Sequence, residues 1–207
     1  MLQRTKGRLL LALLVITGLA GTFSDKTLTK EERKNIVTDF KETRGKIIVA
    51  ADGLSEAQLN YKPEEGAWSI SECLSHIALS EQGIWSMLEG SMKGPANPEM
   101  RDSIKVTDAQ LVAMVKDRTT KRKNPEFLDP SKASWKDAKG AIAEFKKHRN
   151  DHIKYARTTT EDLRNHIVPF VGTHVDGYQV LLLINAHSER HYQQIVAIRS
   201  SPGFPQS

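Results

Sequence analysis

Asn185-Ala186-His187-Ser188-Glu189-Arg190-His191-Tyr192-Gln193-Gln194 decides how this chain is read. The run reads as helix, and residues four apart on a helix share one face. That face continues through Val180, Ile184, His187, His191, Gln194 or Ile195, and Ile198. The two histidines therefore point where the apolar residues point, toward a core. Two inward imidazoles on adjacent turns can hold one metal ion. They can equally be core histidines satisfied by hydrogen bonds, and a motif as short as His-x-x-x-His does not separate the two readings.

Working outward, helix signals dominate. Thr29-x-x-Glu32, Ser69-x-x-Glu72, Thr107-x-x-Gln110 and Asp176-x-x-Gln179 have the form of capping boxes or related N-terminal signals. A first helix carries Ile36, Phe40, Ile47 and Ala51 and ends at Gly53, and a short helical turn lies between Leu54 and Leu59. The second long helix is predicted from Ile70 to Leu88, with Trp68 placed as a hydrophobic staple before it. His76 lies two turns in, sharing a face with Cys73, Ser80, Ile84 and Met87. Loops with Pro95, Pro98, Pro125 and Pro130 flank a shorter helix from Thr107. Ser134 is expected to cap a long helix whose stripe is Trp135, Ile142, Phe145, Ile153 and Ala156. Leu163 to Asp176 reads as a connector, and the last helix runs from Asp176 to near Arg199. No alternating strand with a hairpin turn stands out. The fold class is all-α, an up-down four-helix bundle with a short extra helix.

Composition narrows the function. The chain has 207 residues, enough for one domain. Met1 to Arg8 is basic and Leu9 to Ala20 nearly continuously apolar, followed by small residues, which is the order of a secretory signal. We expect a signal peptide over residues 1–24, a bundle domain over 25–207, and export to the periplasm or medium. The apolar run is shorter than the roughly 20 residues that span a bilayer, so membrane attachment follows only if the segment stays uncleaved. The formal charge of +5 (30 Lys+Arg against 25 Asp+Glu) falls to +2 when Arg4, Lys6 and Arg8 leave with the leader, 27 against 25. That balance argues against nucleic acid as a partner. The run Arg118 to Lys123 reads as a solvated helix end. Cys73 is the single cysteine, so there is no internal disulfide, and it reads as a small buried residue.

A rival pair, His148 and His152, is also four apart but sits among Lys146, Lys147, Arg149 and Lys154, which disfavours a dication. His148 reads as solvated and His152 as lying at the edge of the core. His166 and His174 are single connector histidines.

Trp68-Ser69-Ile70-x-Glu72-x-Leu74-x-His76, taken with His187-x-x-Arg190-His191-x-x-Gln194-Ile195, is more specific than either stretch alone. The combination resembles the DinB-like (YfiT-like) family of metal-binding four-helix bundles, from about residue 30 to 200. The resemblance implies a divalent metal site on His76, His187 and His191. It also implies a hydrolase or group transferase, with thiol-dependent transferases among the relatives, a small-molecule substrate, zinc or nickel as the metal, and the option of a homodimer. Export sits poorly with thiol transfer, because bacterial low-molecular-weight thiols are mainly cytoplasmic.

Three neutral imidazoles at about 2.0–2.1 Å suit zinc and leave a fourth position for water or substrate. Nickel, copper and iron accept imidazole too. Glu81, Arg190 and Gln194 are the candidate catalytic or orienting residues: Glu81 as a base, Arg190 toward an anionic substrate, Gln194 as an orienter of His191 or a ligand contact. Glu72 reads more simply as a cap. Tyr178 and Tyr192 line the site or merely pack. The competing readings are a metal-binding or sensing bundle without turnover, and a bundle whose histidines are only structural. A fourth protein ligand, for which Cys73 is the nearby soft candidate, would mark storage.

Overall fold

The computed structural model describes residues 27–120 and 125–206. The expected leader, residues 1–24, lies outside them, as does the end of the basic run from Lys121 onward. Four long helices form the bundle: α1 (Lys30–Ala51), α3 (Ile70–Met92), α5 (Ala138–Thr158) and α6 (Gly177–Arg199). Two short helices, α2 (Glu56–Asn60) and α4 (Asp108–Lys116), lie in the connections. Among the described residues no helix is long and apolar enough to cross a membrane.

Local chemistry sets the starts. Thr29, Ser55, Ser69, Thr107 and Asp176 each accept the backbone N–H three residues on, and the side chain there returns a bond to the cap. Each pair satisfies two amide donors that a helix start otherwise leaves bare. α1 stops where Gly53 takes a φ of +69°, a conformation open to glycine without a Cβ clash.

The four-helix bundle with an extra short helix is as expected, but its long helices do not alternate up and down as the sequence suggested. α3 packs on α5 and α6, α1 packs on the same two, and α4 covers α6. Cross-contacts give the directions. α1 and α6 run the same way, with Lys46 meeting Glu189 and Arg199 donating to the Ala50 carbonyl. α3 and α5 also run the same way, with Glu81 meeting Arg149 and Trp85 meeting Tyr155. Arg33 donating to the Ala156 carbonyl makes α1 and α5 antiparallel. The chain thus runs up, down, down, up. α1 lies diagonally from α3, and α5 from α6, while α3 and α5 are direct neighbours.

Two expectations need correction. Residues 163–176 are not irregular: β1 (Ile167–Phe170) pairs antiparallel with β2 (Thr173–Asp176), in the register Ile167 to Asp176 and Phe170 to Thr173. Pro169 masked this strand, and it is tolerated because a two-stranded ribbon leaves outer N–H positions unpaired. Val171 and Gly172 make the turn, with Gly172 at φ +74°. The second correction is the start of α5. Asp137, not Ser134, caps it, accepting from Gly140 N at 2.7 Å. Trp135 stays outside the helix and donates its indole N–H to Ser75 Oγ at 2.9 Å.

The apolar side chains form two clusters. One, toward the end where α1 begins, contains Ile36, Phe40, Leu88, Ala156 and Leu181. The other contains Ile47, Ile70, Leu74, Phe145 and Ile195. Between them lies a buried polar layer, and beside that layer lie the histidines.

Candidate metal centre

α3 and α6 cross so that the early part of one faces the late part of the other. His76, on the second turn of α3, therefore meets His187 and His191, which occupy successive turns of α6. One nitrogen from each of these three imidazoles lies within 4.8 Å of the others. His76 Nε2 and His187 Nε2 are 3.3 Å apart. His76 and His191 are buried, and His187 is partly exposed.

The outer nitrogens are held. His76 Nδ1–H donates to the Leu128 carbonyl at 2.8 Å, and His191 Nδ1–H donates to Gln194 Oε1 at 3.0 Å. Both bonds fix the tautomer that leaves Nε2 unprotonated and aimed at the cluster. Ser80 Oγ stands 3.4 Å from His76 Nε2. Trp68 closes one side, its ring centroid 4.8 Å from that of His76 and 5.8 Å from that of His191, nearly parallel to the latter. The residue anticipated as a staple is thus also a wall of the site.

Electrostatics keep all three rings neutral. Burial, then the neighbouring His76, pushes His187 down to about 3. Burial, then His187 and His76, holds His191 well below 6.5. Burial also lowers His76, opposed by its bond to Leu128. His187 Nε2 stands within hydrogen-bond reach of His76 Nε2, so this contact is satisfied either by an N–H donated across it or by a cation shared between the two rings. Two ligands of a tetrahedral zinc at about 2.05 Å stand about 3.3 Å apart, the separation found between His76 and His187. The residues fit the ion. Among the described residues, no fourth His, Cys, Asp or Glu joins the group. Cys73 is fully buried, and burial pushes its thiol far up, which makes it inert.

The candidate catalytic residues separate. Gln194 is in place as the orienter of His191. Arg190 donates to the backbone carbonyls of Asp117 and, at 3.3 Å, Thr120, so it ties the segment after α4 to α6 beside the cluster. Glu81 is not placed as a base. It is fully buried on α3, and its four lone-pair positions are filled: Oε1 by Arg149 Nη2 and Ser188 Oγ, Oε2 by Arg149 Nε at 3.0 Å and His152 Nδ1 at 2.9 Å. Burial alone would raise its pKa, but the Arg149 charge and the His152 bond bring it to about 2.

His152 is correspondingly inside the core rather than at its edge, stacked on Trp85 with ring centroids 4.4 Å apart. Its rival partner His148 is half-buried rather than solvated, near Glu144. Glu72 caps α3 and pairs with Lys62. Tyr192 lines a groove with Lys46 and Val49, and Tyr178 packs under Arg164 at the far end of the bundle. The sequence reading missed two parts. The Leu128 carbonyl is a backbone group in a loop and carries no signal. The role of Arg149 had one, a charged residue on the apolar stripe of α5.

The uncharacterized protein YuaE of Bacillus subtilis (strain 168) is 32% identical over 92 residues, which is 44% of this chain. The chain spans about half of that relative's length, 52%. YfiT from Bacillus subtilis, described as a probable metal-dependent hydrolase with an unusual four-helix bundle topology, is a structural neighbour. It superposes with a TM-score of 0.57 over 86% of this chain and 92% of its own, at 17% identity, and so shares the fold. Residues 39–195 match the model of the DinB superfamily, and the chain belongs to that family.

Proposed function

We propose that this protein is a metal-dependent hydrolase in which His76, His187 and His191 hold one divalent ion, zinc or nickel. The observation that carries the reading is the convergence of three neutral imidazoles, two of them with fixed outer nitrogens. The hydrolase description of YfiT points the same way. When bound, a divalent ion supplies Lewis-acid polarisation of a substrate oxygen and activation of water at neutral pH.

The chain's own groups do the rest. The Leu128 carbonyl and Gln194 hold two rings in the binding tautomer. Trp68 excludes water from one side. The partly exposed His187 marks the side from which a small molecule enters, and the absence of a fourth protein ligand among the described residues leaves room for it. Group transfer, with a thiol or another nucleophile in place of water, uses the same arrangement. The proposal includes export by the leader over residues 1–24.

The test is a panel of chromogenic esters, amides and phosphoesters, with a thiol acceptor included. The protein is stripped with chelator and recharged with zinc or nickel. Turnover restored by metal in the wild type and absent in His191→Ala supports the reading. Turnover that survives chelation or His191→Ala contradicts it. Tight metal binding without turnover across the panel favours a non-catalytic metal-binding or sensing bundle.

A further inference from the structure

We propose that the buried Glu81–Arg149 pair is a positioning device that locks α6 against α3, so that His187 and His191 face His76. The inference rests on the metal-site reading above. Helices packed through apolar ridges alone shift by 1–2 Å, or ratchet by about a turn, because neighbouring grooves are nearly equivalent. Directional bonds to buried charges remove that freedom, and fixing register is the best-attested use of buried polar groups.

The network is placed to do this. It has a member on each long helix. Arg149, fully buried on α5, uses all five of its donors: two on Glu81 of α3, one on the Phe40 carbonyl of α1 at 3.3 Å, and two on α6. The α6 contacts are Ser188 Oγ at 2.9 Å and Asn185 Oδ1 at 3.2 Å. Ser188 in turn donates to Glu81 Oε1 at 2.8 Å. Asn185 and Ser188 bracket His187 in sequence, and Ser188 lies three residues before His191. His152 completes the Glu81 carboxylate from α5. Only helical backbone separates the lock from the ligands, so a slip at one is a slip at the other. Ring spacing between α3 and α6 is thereby set by the polar layer and not by the apolar clusters on either side.

The test uses the full chain, with zinc and cobalt(II) as probes. Ser188→Ala removes the shorter of the two α6 contacts to Arg149 and the α6 contact to Glu81, and leaves the ion pair itself intact. Zinc affinity, read by chelator competition, is expected to fall about tenfold, the lower end for loss of a group behind a ligand. The visible ligand-field band of bound cobalt(II), which follows coordination geometry, is expected to weaken. Asn185→Ala, at a less buried position, is expected to move both readouts in the same direction, and it decides the matter if Ser188→Ala does not fold. Wild-type affinity and an unchanged cobalt spectrum in the folded variants overturn the lock, even if those variants melt lower, because a merely structural role lowers stability alone. A wild-type chain that binds neither ion overturns the metal-site reading, and the lock with it.

Discussion

Arg149→Met is the perturbation whose size can be worked out most fully. Methionine keeps much of the side-chain bulk between the Phe40 and Phe145 rings, which lie 4.7 and 5.2 Å from the guanidinium carbon. It removes the charge that Glu81 faces and all five donated bonds. Two routes give the magnitude. A carboxyl held at about 2 rather than its ordinary 4.5 corresponds to about 3 kcal/mol of native-state stabilisation at neutral pH. Removing one partner of a buried ion pair costs about 3–5 kcal/mol. We therefore expect Arg149→Met to lower the unfolding free energy by about 3–5 kcal/mol at pH 7, measured by urea denaturation of the metal-free chain. The sign with pH follows. A depressed carboxyl contributes stability that is present above 4.5 and lost as pH falls toward 2. The gap between wild type and variant should narrow over that window, because only the wild type loses the contribution. The double variant Glu81→Leu/Arg149→Met, with no charge left to strand, should recover most of the loss. A single-variant cost below about 1 kcal/mol, or a double variant worse than the single, refutes the reasoning.

Other perturbations test neighbouring parts. The three cluster histidines are held below 6.5 in the fold, so the unfolded chain takes up protons that the native state refuses. Metal-free protein should be most stable above pH 6.5 and weaken as pH falls below it, with His187 contributing down to about 3 and by up to about 1.4 kcal/mol per pH unit. His187→Gln should flatten that slope by one proton's worth in denaturation curves between pH 7 and 5, and an unaltered slope speaks against a neutral His187 in the fold. Gln194→Ala frees the His191 ring and should weaken zinc binding about tenfold in a chelator competition; unchanged affinity removes Gln194 from the site. Gly177→Ala places a Cβ 2.8 Å from the Leu163 carbonyl and 3.0 Å from Leu88 Cδ1, so a loss of about 1–3 kcal/mol is expected from thermal or urea unfolding. A neutral result would mean that the N-terminus of α6 yields more easily than its packing suggests.

Much of this was written in local sequence. The capping residues named the starts of α1, α3, α4 and α6, because a hydroxyl or carboxylate at the cap and a Glu or Gln three residues on act over a single turn. The spacing of His187 and His191 named a face, and the resemblance to a family supplied His76. Information of longer range was not legible. The parallel run of α3 and α5 depends on the long connection between them, whose direction no periodicity encodes. The expected cap Ser134 was three residues early, because Trp135 stays outside the helix with its indole on Ser75 across the bundle and Asp137 caps α5 instead. The hairpin at residues 167–176 was hidden by Pro169. The buried ion pair had a readable trace that went unread. Glu81 occupies the stripe Leu74, Ile77, Glu81, Ile84, Leu88, and Arg149 follows Phe145 by four, so opposite charges interrupt two apolar faces that must meet. Read with that rule, Glu81 is a core partner before it is a catalytic base.

The most direct test of the central claim is the metal content of the purified protein by elemental analysis, beside His76→Ala and a His187→Ala/His191→Ala double variant. The account predicts about one equivalent of a divalent ion in the wild type, taken up as zinc or nickel after stripping, and none held by either variant. A wild-type chain that stays empty after reconstitution, or a double variant that keeps its ion, contradicts it.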